Sequence, residues 1–396
     1  MAITPPASQR FFSLDVFRGA TVALMILVNN PGSWSNIYPP LAHAPWHGCT
    51  PTDLVFPFFL FAVGNAMAFV FPRLEQAGSN VFLRKVFTRS ILIFLIGLFL
   101  NWAPFVQWRS GELVFRHWVD PLRPENGVRI LGVLQRIALC YLFASLIIYY
   151  FKLRGAFFMA FLLLTGYWML CLFLGDPLDP FSLSGYFGNS IDRAILGVPH
   201  LYKGEGVPFD PEGLTSTIPA IVQVLFGYFA GHYIIQKGKN YEMVTHLLVA
   251  GGLLVFAGFS WDMSFPINKK IWTSSYVLYT SGLAMLVLGT MIYLIELRGY
   301  RGAPTRFFNV FGKNPLFIYF MSGFLIKVLA LFRWVDHFNE AGKPVYTSAL
   351  PWFYQHICKP VSDNLKNGSL LYAIALVLFF WAMGWWMDRK KIYIRV

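Results

Sequence analysis

Residues 43 to 57 read His-Ala-Pro-Trp-His-Gly-Cys-Thr-Pro-Thr-Asp-Leu-Val-Phe-Pro and set two histidines and a carboxylate between two strongly apolar runs. A histidine titrates near neutrality and can take or give a proton at physiological pH, whereas chain that faces lipid has no use for one. His43 and His47 are therefore candidates for chemistry. Asp53 has the side chain either to orient one of them or to sit in the first turn of the helix that follows. Other polar residues recur near the same ends of later apolar runs: Asn29 and Asn30, Arg129, Gln135 and Arg136, Asp210 and Glu212, then Asp262, Asn268 and Lys269. If these ends share one membrane level, they form a polar mouth suited to a polar substrate.

The elements that must hold them follow from composition. With 396 residues, 56% hydrophobic, 18% aromatic and 13% charged, the chain reads as an all-α polytopic membrane protein. A helix needs about 20 residues to cross the hydrocarbon core, and apolar runs of that length recur with Trp and Tyr at their ends. Low charge places helices near residues 14–31, 53–72, 84–103, 130–150, 155–174, 216–236, 243–260, 273–296, 308–332 and 369–388. The expected count is ten, or eleven if the amphipathic stretch 350–358 is a partial span. Transmembrane strands are excluded, because they would alternate every second residue.

Lys and Arg set the orientation. Half of the 32 basic residues, Arg10 and Arg395 among them, fall at the termini and in every second loop, hence on one face. That face is expected to be cytoplasmic, with both termini on it for ten spans. The other face carries long loops near 31–52, 104–129, 175–215, 261–272 and 333–368, and most of the acids. The net charge of +13 is thereby explained by topology, and nucleic acid is not an expected partner. The whole chain, 1–396, reads as a single transmembrane domain, its first run a retained helix rather than a cleaved signal.

Several chemistries have no motif here. His117, His200, His232, His246, His337 and His356 show no HExxH or paired-ligand spacing, so no metal is expected. Walker, dinucleotide and CxxC patterns and a Gly-x-Ser-x-Gly elbow are missing from the sequence, as is a fixed-period repeat. Cys49, Cys140, Cys171 and Cys358 are expected as free thiols.

Five ordered segments carry a resemblance: Leu14-Asp-Val-Phe-Arg-Gly19; His43-Ala-Pro-Trp-His-Gly48 running into Thr52-Asp-Leu-Val-Phe-Pro57; Arg129-Ile-Leu-Gly-Val-Leu-Gln-Arg136; Phe209-Asp-Pro-Glu-Gly213; and Pro266-Ile-Asn-Lys-Lys-Ile-Trp272. From about residue 12 to its end the sequence resembles the heparan-α-glucosaminide N-acetyltransferase family, and within it the bacterial branch. The eukaryotic pattern around the histidine reads Ala-Ser-Trp-Asn-Gly, from which Pro45 and His47 depart. The resemblance implies an acyltransferase of the bacterial inner membrane that passes acetyl from cytosolic acetyl-CoA to an amino sugar or glycan on the opposite side. It implies His43 as the active-site histidine and Asn29 as an asparagine close to it.

That chemistry suits the residues. An amine must lose a proton to form a stable amide, and a neutral imidazole either takes that proton or first accepts the acetyl group itself. The Asn29 amide is suited to the charge developing on the thioester oxygen. Asp53 joins them as an orienting group, and His47, Asp210, Glu212, Asp262, Lys269 and Arg136 are the expected substrate contacts. At the basic face, Asp15, Arg18, Lys313 and Asn314 are the expected contacts of the donor, although an Asp15–Arg18 pair three residues apart on one helix face also reads as a structural ion pair. The expected partners are the amino sugar and the bilayer, with a homodimer left open. A permease for amino sugars or cell-wall fragments is the competing reading of the same polar set.

Overall fold

The computed structural model describes residues 11–394, so Arg10 and Arg395 lie outside it. Among the described residues, seven helical stretches are long and apolar enough to cross a membrane. They are α1 (Phe12–Asn29), α2 (Val55–Gln76) with its leading 3-10 turn Pro51–Leu54, α4 (Val133–Leu174), α6 (Thr217–Lys237), α7 (Tyr241–Asp262), α8 (Ser274–Ile292) with its trailing π-turn, and α12 (Leu365–Arg389). Between them lie α3 (Ser79–Trp102), α5 (Gly188–Leu196), α9 (Ala303–Lys313), α10 (Pro315–Leu329) and α11 (Ala349–Phe353). The helical, membrane-compatible architecture expected from composition is present.

The differences from the expected spans have local causes. The helix expected at 84–103 forms as α3, with Arg84, Lys85 and Arg89 in its first half. The two helices expected at 130–150 and 155–174 are both present as the arms of α4, which meet at a kink where Lys152 leaves helical geometry (φ 54°, ψ −173°). The span expected at 308–332 is instead split into α9 and α10 at Asn314 (φ −133°, ψ 51°), because Pro315 lacks an N–H and pushes the residue before it out of the α region. Stretch 350–358 forms only α11 and a π-turn, Tyr354–Cys358, too short to cross. Three antiparallel hairpins were not expected: β1 (Val106–Arg109) with β2 (Glu112–Phe115), β3 (Val119–Asp120) with β4 (Arg123–Gly127), and β5 (Arg333–Phe338) with β6 (Pro344–Ser348).

The centre of the bundle is the crossing of α2 and α6, and its closeness depends on two glycines. A Cβ on Gly64 would lie 1.9 Å from the Val224 carbonyl oxygen, and one on Gly227 would lie 2.0 Å from that of Phe61. Backbone therefore meets backbone, and Leu60, Phe61, Val224 and Leu225 are sealed around the contact. By contrast, the second half of α4 and the outer face of α7 expose large apolar side chains such as Phe157, Phe161, Phe173, Leu253, Phe256 and Phe259, the surface expected against lipid.

Polar contacts gather at the two ends. At one, the five long loops are tied together: Trp46 Nε1 donates to Phe181 O at 2.8 Å, Gly48 N to Ile267 O at 2.7 Å, Trp108 Nε1 to Leu331 O at 2.9 Å, and Gly32 N to Ser369 O at 3.3 Å. His200, in the third loop, bonds Val128 O in the second at 2.7 Å. At the other end Glu296 accepts from Ser13 N and Lys239 Nζ, and Lys313 pairs with Asp388. Replacing Gly227 by valine should separate α2 from α6 and destabilise the fold by at least about 2 kcal/mol. Thermal denaturation of the purified protein in detergent reads this as a lowered midpoint with loss of monodispersity.

Candidate active site

Asp53 is where local structure and chemistry meet. It follows Thr50-Pro51-Thr52, and together with Thr50 it forms a capping box at the turn that opens α2, with Pro51 at the first helical position. Its Oδ2 accepts from Thr50 N and Ala44 N, each at 3.0 Å, and shares the Thr50 hydroxyl, also 3.0 Å away, with Ala42 O at 2.7 Å. Its Oδ1 lies 2.7 Å from His43 Nδ1. Both roles expected of this residue, helix start and histidine orienter, are thus filled by one carboxylate through different oxygens.

The pair has a defined proton arrangement. An ionised carboxylate has no proton to donate, so the short contact requires the hydrogen on Nδ1 and leaves the lone pair of a neutral ring on Nε2. Accessibility is divided in the same sense: the His43 side chain is 38% exposed and that of Asp53 only 1%. Tyr276, buried on α8, donates to Asp53 O at 2.6 Å and pins the turn to the bundle.

A second loop closes on this one. Gly48, in the left-handed region at φ 102°, bridges to Asn268, and this contact lays residues 266–272 beside residues 43–50. Lys269 Nζ then sits 3.1 Å from His43 Nδ1 and 3.3 Å from Asp53 Oδ1. Since Nδ1 already carries its hydrogen, the acceptor for the ammonium is Oδ1. Burial lowers the pKa of Lys269, and the charges of Asp53 and Glu212 oppose that. Burial, reinforced by the Asp53 charge, pushes the Cys49 thiol up to about 12.

The other expected residues take varied positions. His47 is exposed, 3.4 Å from Asn268 Nδ2; burial of part of the ring lowers its pKa against the raising effect of Asp179 and Asp262. Asn29 ends α1 and is exposed, with no hydrogen bond to His43. Asp262 accepts from Ile267 N at 2.5 Å and shapes the loop that carries Lys269. Asp210 and Glu212 are both held by Arg129, whose Nε lies 2.9 Å from Asp210 Oδ2 and whose Nη2 reaches both carboxylates. Asp210 and Arg136 were expected at a substrate, but both side chains are fully buried, and in this structure they hold the wall of the site together. Arg136 donates to Gly213 O at 3.0 Å and to Ser216 Oγ, and its guanidinium stands over the Trp272 ring, 5.1 Å from the centroid.

At the opposite end Arg18 bonds Asp15 at 2.8 Å and Gly312 O at 2.7 Å, Lys313 bonds both Asp388 oxygens at 2.7 and 2.8 Å, and Asn314 Nδ2 donates to Ile392 O at 2.9 Å. These four expected donor contacts share one end of the bundle, as the basic loops implied. Two residues not expected at the site join it: Lys270 binds Pro45 O at 2.6 Å and Glu205 at 2.5 Å, and Asp192 accepts from Leu214 N at 3.0 Å. Burial raises the Asp192 carboxyl to about 6. Neither had a signal in the sequence, since their partners are 65 and 22 residues away.

The family model for the catalytic part of heparan-alpha-glucosaminide N-acetyltransferase matches residues 10–259, a stretch that contains His43, Asp53 and the Arg129 clamp. The chain belongs to this family. The human heparan-alpha-glucosaminide N-acetyltransferase is 29% identical over 451 residues, covering 100% of this chain and 61% of the human one. The mouse protein of the same name is 27% identical over 370 residues, covering 79% of this chain and 53% of its own length. The chain thus spans little more than half the length of these relatives. The family match ends before Lys269, so that residue is placed by the fold and not by the family model.

Two outcomes check the site. Cys49 should react with iodoacetamide at pH 8 about a thousandfold more slowly than a thiol of pKa 9.0, read by peptide mass spectrometry, because so little of it is thiolate. Arg129→Met should lower stability by about 3–5 kcal/mol, read by thermal or denaturant unfolding, because it leaves buried Asp210 without its cation.

Proposed function

We propose that the protein is an integral membrane acyltransferase that moves acetyl from acetyl-CoA, supplied at the basic cytoplasmic face, to the amine of an amino sugar at the loop-rich face. The observation that carries this reading is the His43–Asp53 pair: a part-exposed histidine whose Nδ1–H is committed to a buried carboxylate, so that the lone pair of the neutral ring is on Nε2. Family membership supports acyl transfer, and the basic loops support the assignment of sides.

In this reading His43 Nε2 takes the proton of the acceptor amine as the amine nitrogen bonds to the acetyl carbon. The carbon–sulfur bond breaks, and the sulfur leaves as thiolate or takes up a proton. Asp53 holds the ring in the required tautomer and stabilises the imidazolium that forms. The Asn29 amide serves the developing oxyanion, and His47, Asp262 and the partly exposed Glu212 face the sugar. At the basic end Arg18 and Lys313, with Asn314 between the two short helices, meet the donor phosphates by exchanging Asp15 and Asp388 for them. The compartment is the inner membrane of a bacterium.

Vesicles holding labelled acetyl-CoA inside and glucosamine outside should form labelled N-acetylglucosamine. His43→Ala should lower the rate by about 10²–10⁴-fold. Equal product from the variant removes the reading, and uptake of labelled sugar without acetylation moves it to a permease. Rapid quenching followed by mass analysis of the His43 peptide separates the two routes: an acetylated ring means that His43 accepts the group before the amine does, and an unmodified ring supports direct transfer.

A further inference from the structure

We infer that Lys269 is the positioning residue that keeps His43 in its neutral, proton-accepting form, by supplying to Asp53 the cation that this carboxylate would otherwise draw from the imidazole. The inference rests on the proposed role of His43 as base and assigns Lys269 to the site rather than to the substrate.

The geometry leaves one oxygen for two partners. Oδ2 of Asp53 is filled by Ala44 N, Thr50 N and Thr50 Oγ1, so Oδ1 alone faces His43, at 2.7 Å, and Lys269, at 3.3 Å. The ammonium is held in place. The backbone on either side is fixed by Gly48 N to Ile267 O at 2.7 Å, Thr273 N to Asn268 O at 3.0 Å and Trp272 N to Lys269 O at 3.2 Å, and the Lys269 side chain is only 19% exposed.

The surrounding charges point the same way. Around the Lys269 ammonium, Cys49 is a protonated thiol and Glu212, from the 209–216 segment, is already clamped by Arg129. From α8 the Tyr276 hydroxyl donates to the Asp53 carbonyl, which adds no charge. Lys270 is taken by Glu205 and Pro45 O, while Asp179 and Asp262 act on His47. What remains at Oδ1 is one buried anion and one cation. Without the cation, the carboxylate would be buried uncompensated, and protonation of His43 is the nearest remedy. An imidazolium has no lone pair on Nε2 and cannot act as the base.

The test reads the ring directly. Diethyl pyrocarbonate modifies only neutral imidazole, so its reaction with His43 of the full chain in nanodiscs, followed by peptide mass spectrometry from about pH 5.5 to about pH 9, reports the charge state without any acetyl transfer. Lys269→Met should slow modification at pH 7 by about tenfold, with recovery at higher pH, and Lys269→Arg should stay within about twofold of wild type. Lys269→Met/Asp53→Asn, which removes both charges, should return toward the wild-type profile. Lys269→Gln keeps a hydrogen bond and loses the charge; it should shift like Lys269→Met and decides the matter if that variant does not fold. An unshifted profile in the charge-removing variants overturns the inference even where wild type acetylates and His43→Ala does not. A shifted profile with a wild-type protein that transfers no acetyl leaves the charge role intact and removes the catalytic reading.

Discussion

One buried carboxylate constrains the loop-rich end of this protein. Asp53 sits at the first turn of α2 because Thr-Pro-Thr-Asp is a helix-start sequence, and its second oxygen is left over once the cap is made. That spare oxygen orients His43. A carboxylate with only 1% of its side chain exposed is tolerable because it is surrounded by donors: two backbone N–H groups, a hydroxyl, an imidazole N–H and an ammonium. The cap, the histidine and the second loop are therefore mutually dependent, and disturbing one exposes the others to the cost of an unpaired buried charge.

The bundle below supplies the rigidity this arrangement needs. α2 carries Asp53 at its start and is locked against α6 by backbone contacts at Gly64 and Gly227, while α8 reaches the same turn through Tyr276. The loops above are joined to one another rather than standing free in solvent. Trp46, Gly48 and Lys270 each cross to another loop, and Arg129 gathers Asp210 and Glu212 beneath them. Arg18 with Asp15 and Lys313 with Asp388 form ion pairs at the opposite end, so the molecule keeps two polar ends apart by an apolar middle.

Most of the helices were legible because hydrophobic length is a one-dimensional property. α1, α2, α6, α7, α8 and α12 lie within a few residues of the expected ranges. The span expected at 308–332 was missed because a local detail outweighed average hydropathy, Pro315 breaking a long apolar run, whereas the two helices expected on either side of Lys152 are present as the arms of α4. The hairpins were hidden because strands of two to six residues in polar loops have no run long enough to show a period. His43 was legible by type and setting. The fate of the carboxylates was not, because Asp210 and Glu212 find Arg129 about eighty residues away, and no spacing rule reaches that far.

By itself the sequence determined the class of protein, the clustering of basic residues in alternate loops, the free state of its four thiols and the segment that carries two histidines and a carboxylate. These follow from composition and short-range order, which the chain carries before it folds. Only the tertiary structure decided which side chains became partners. His43 and Asp53 are ten residues apart and Lys269 is 226 residues from His43, and their meeting depends on a loop bridge at Gly48 and a bundle rigid enough to hold it. A buried charge must find its countercharge in space, and space is what the order of residues does not display.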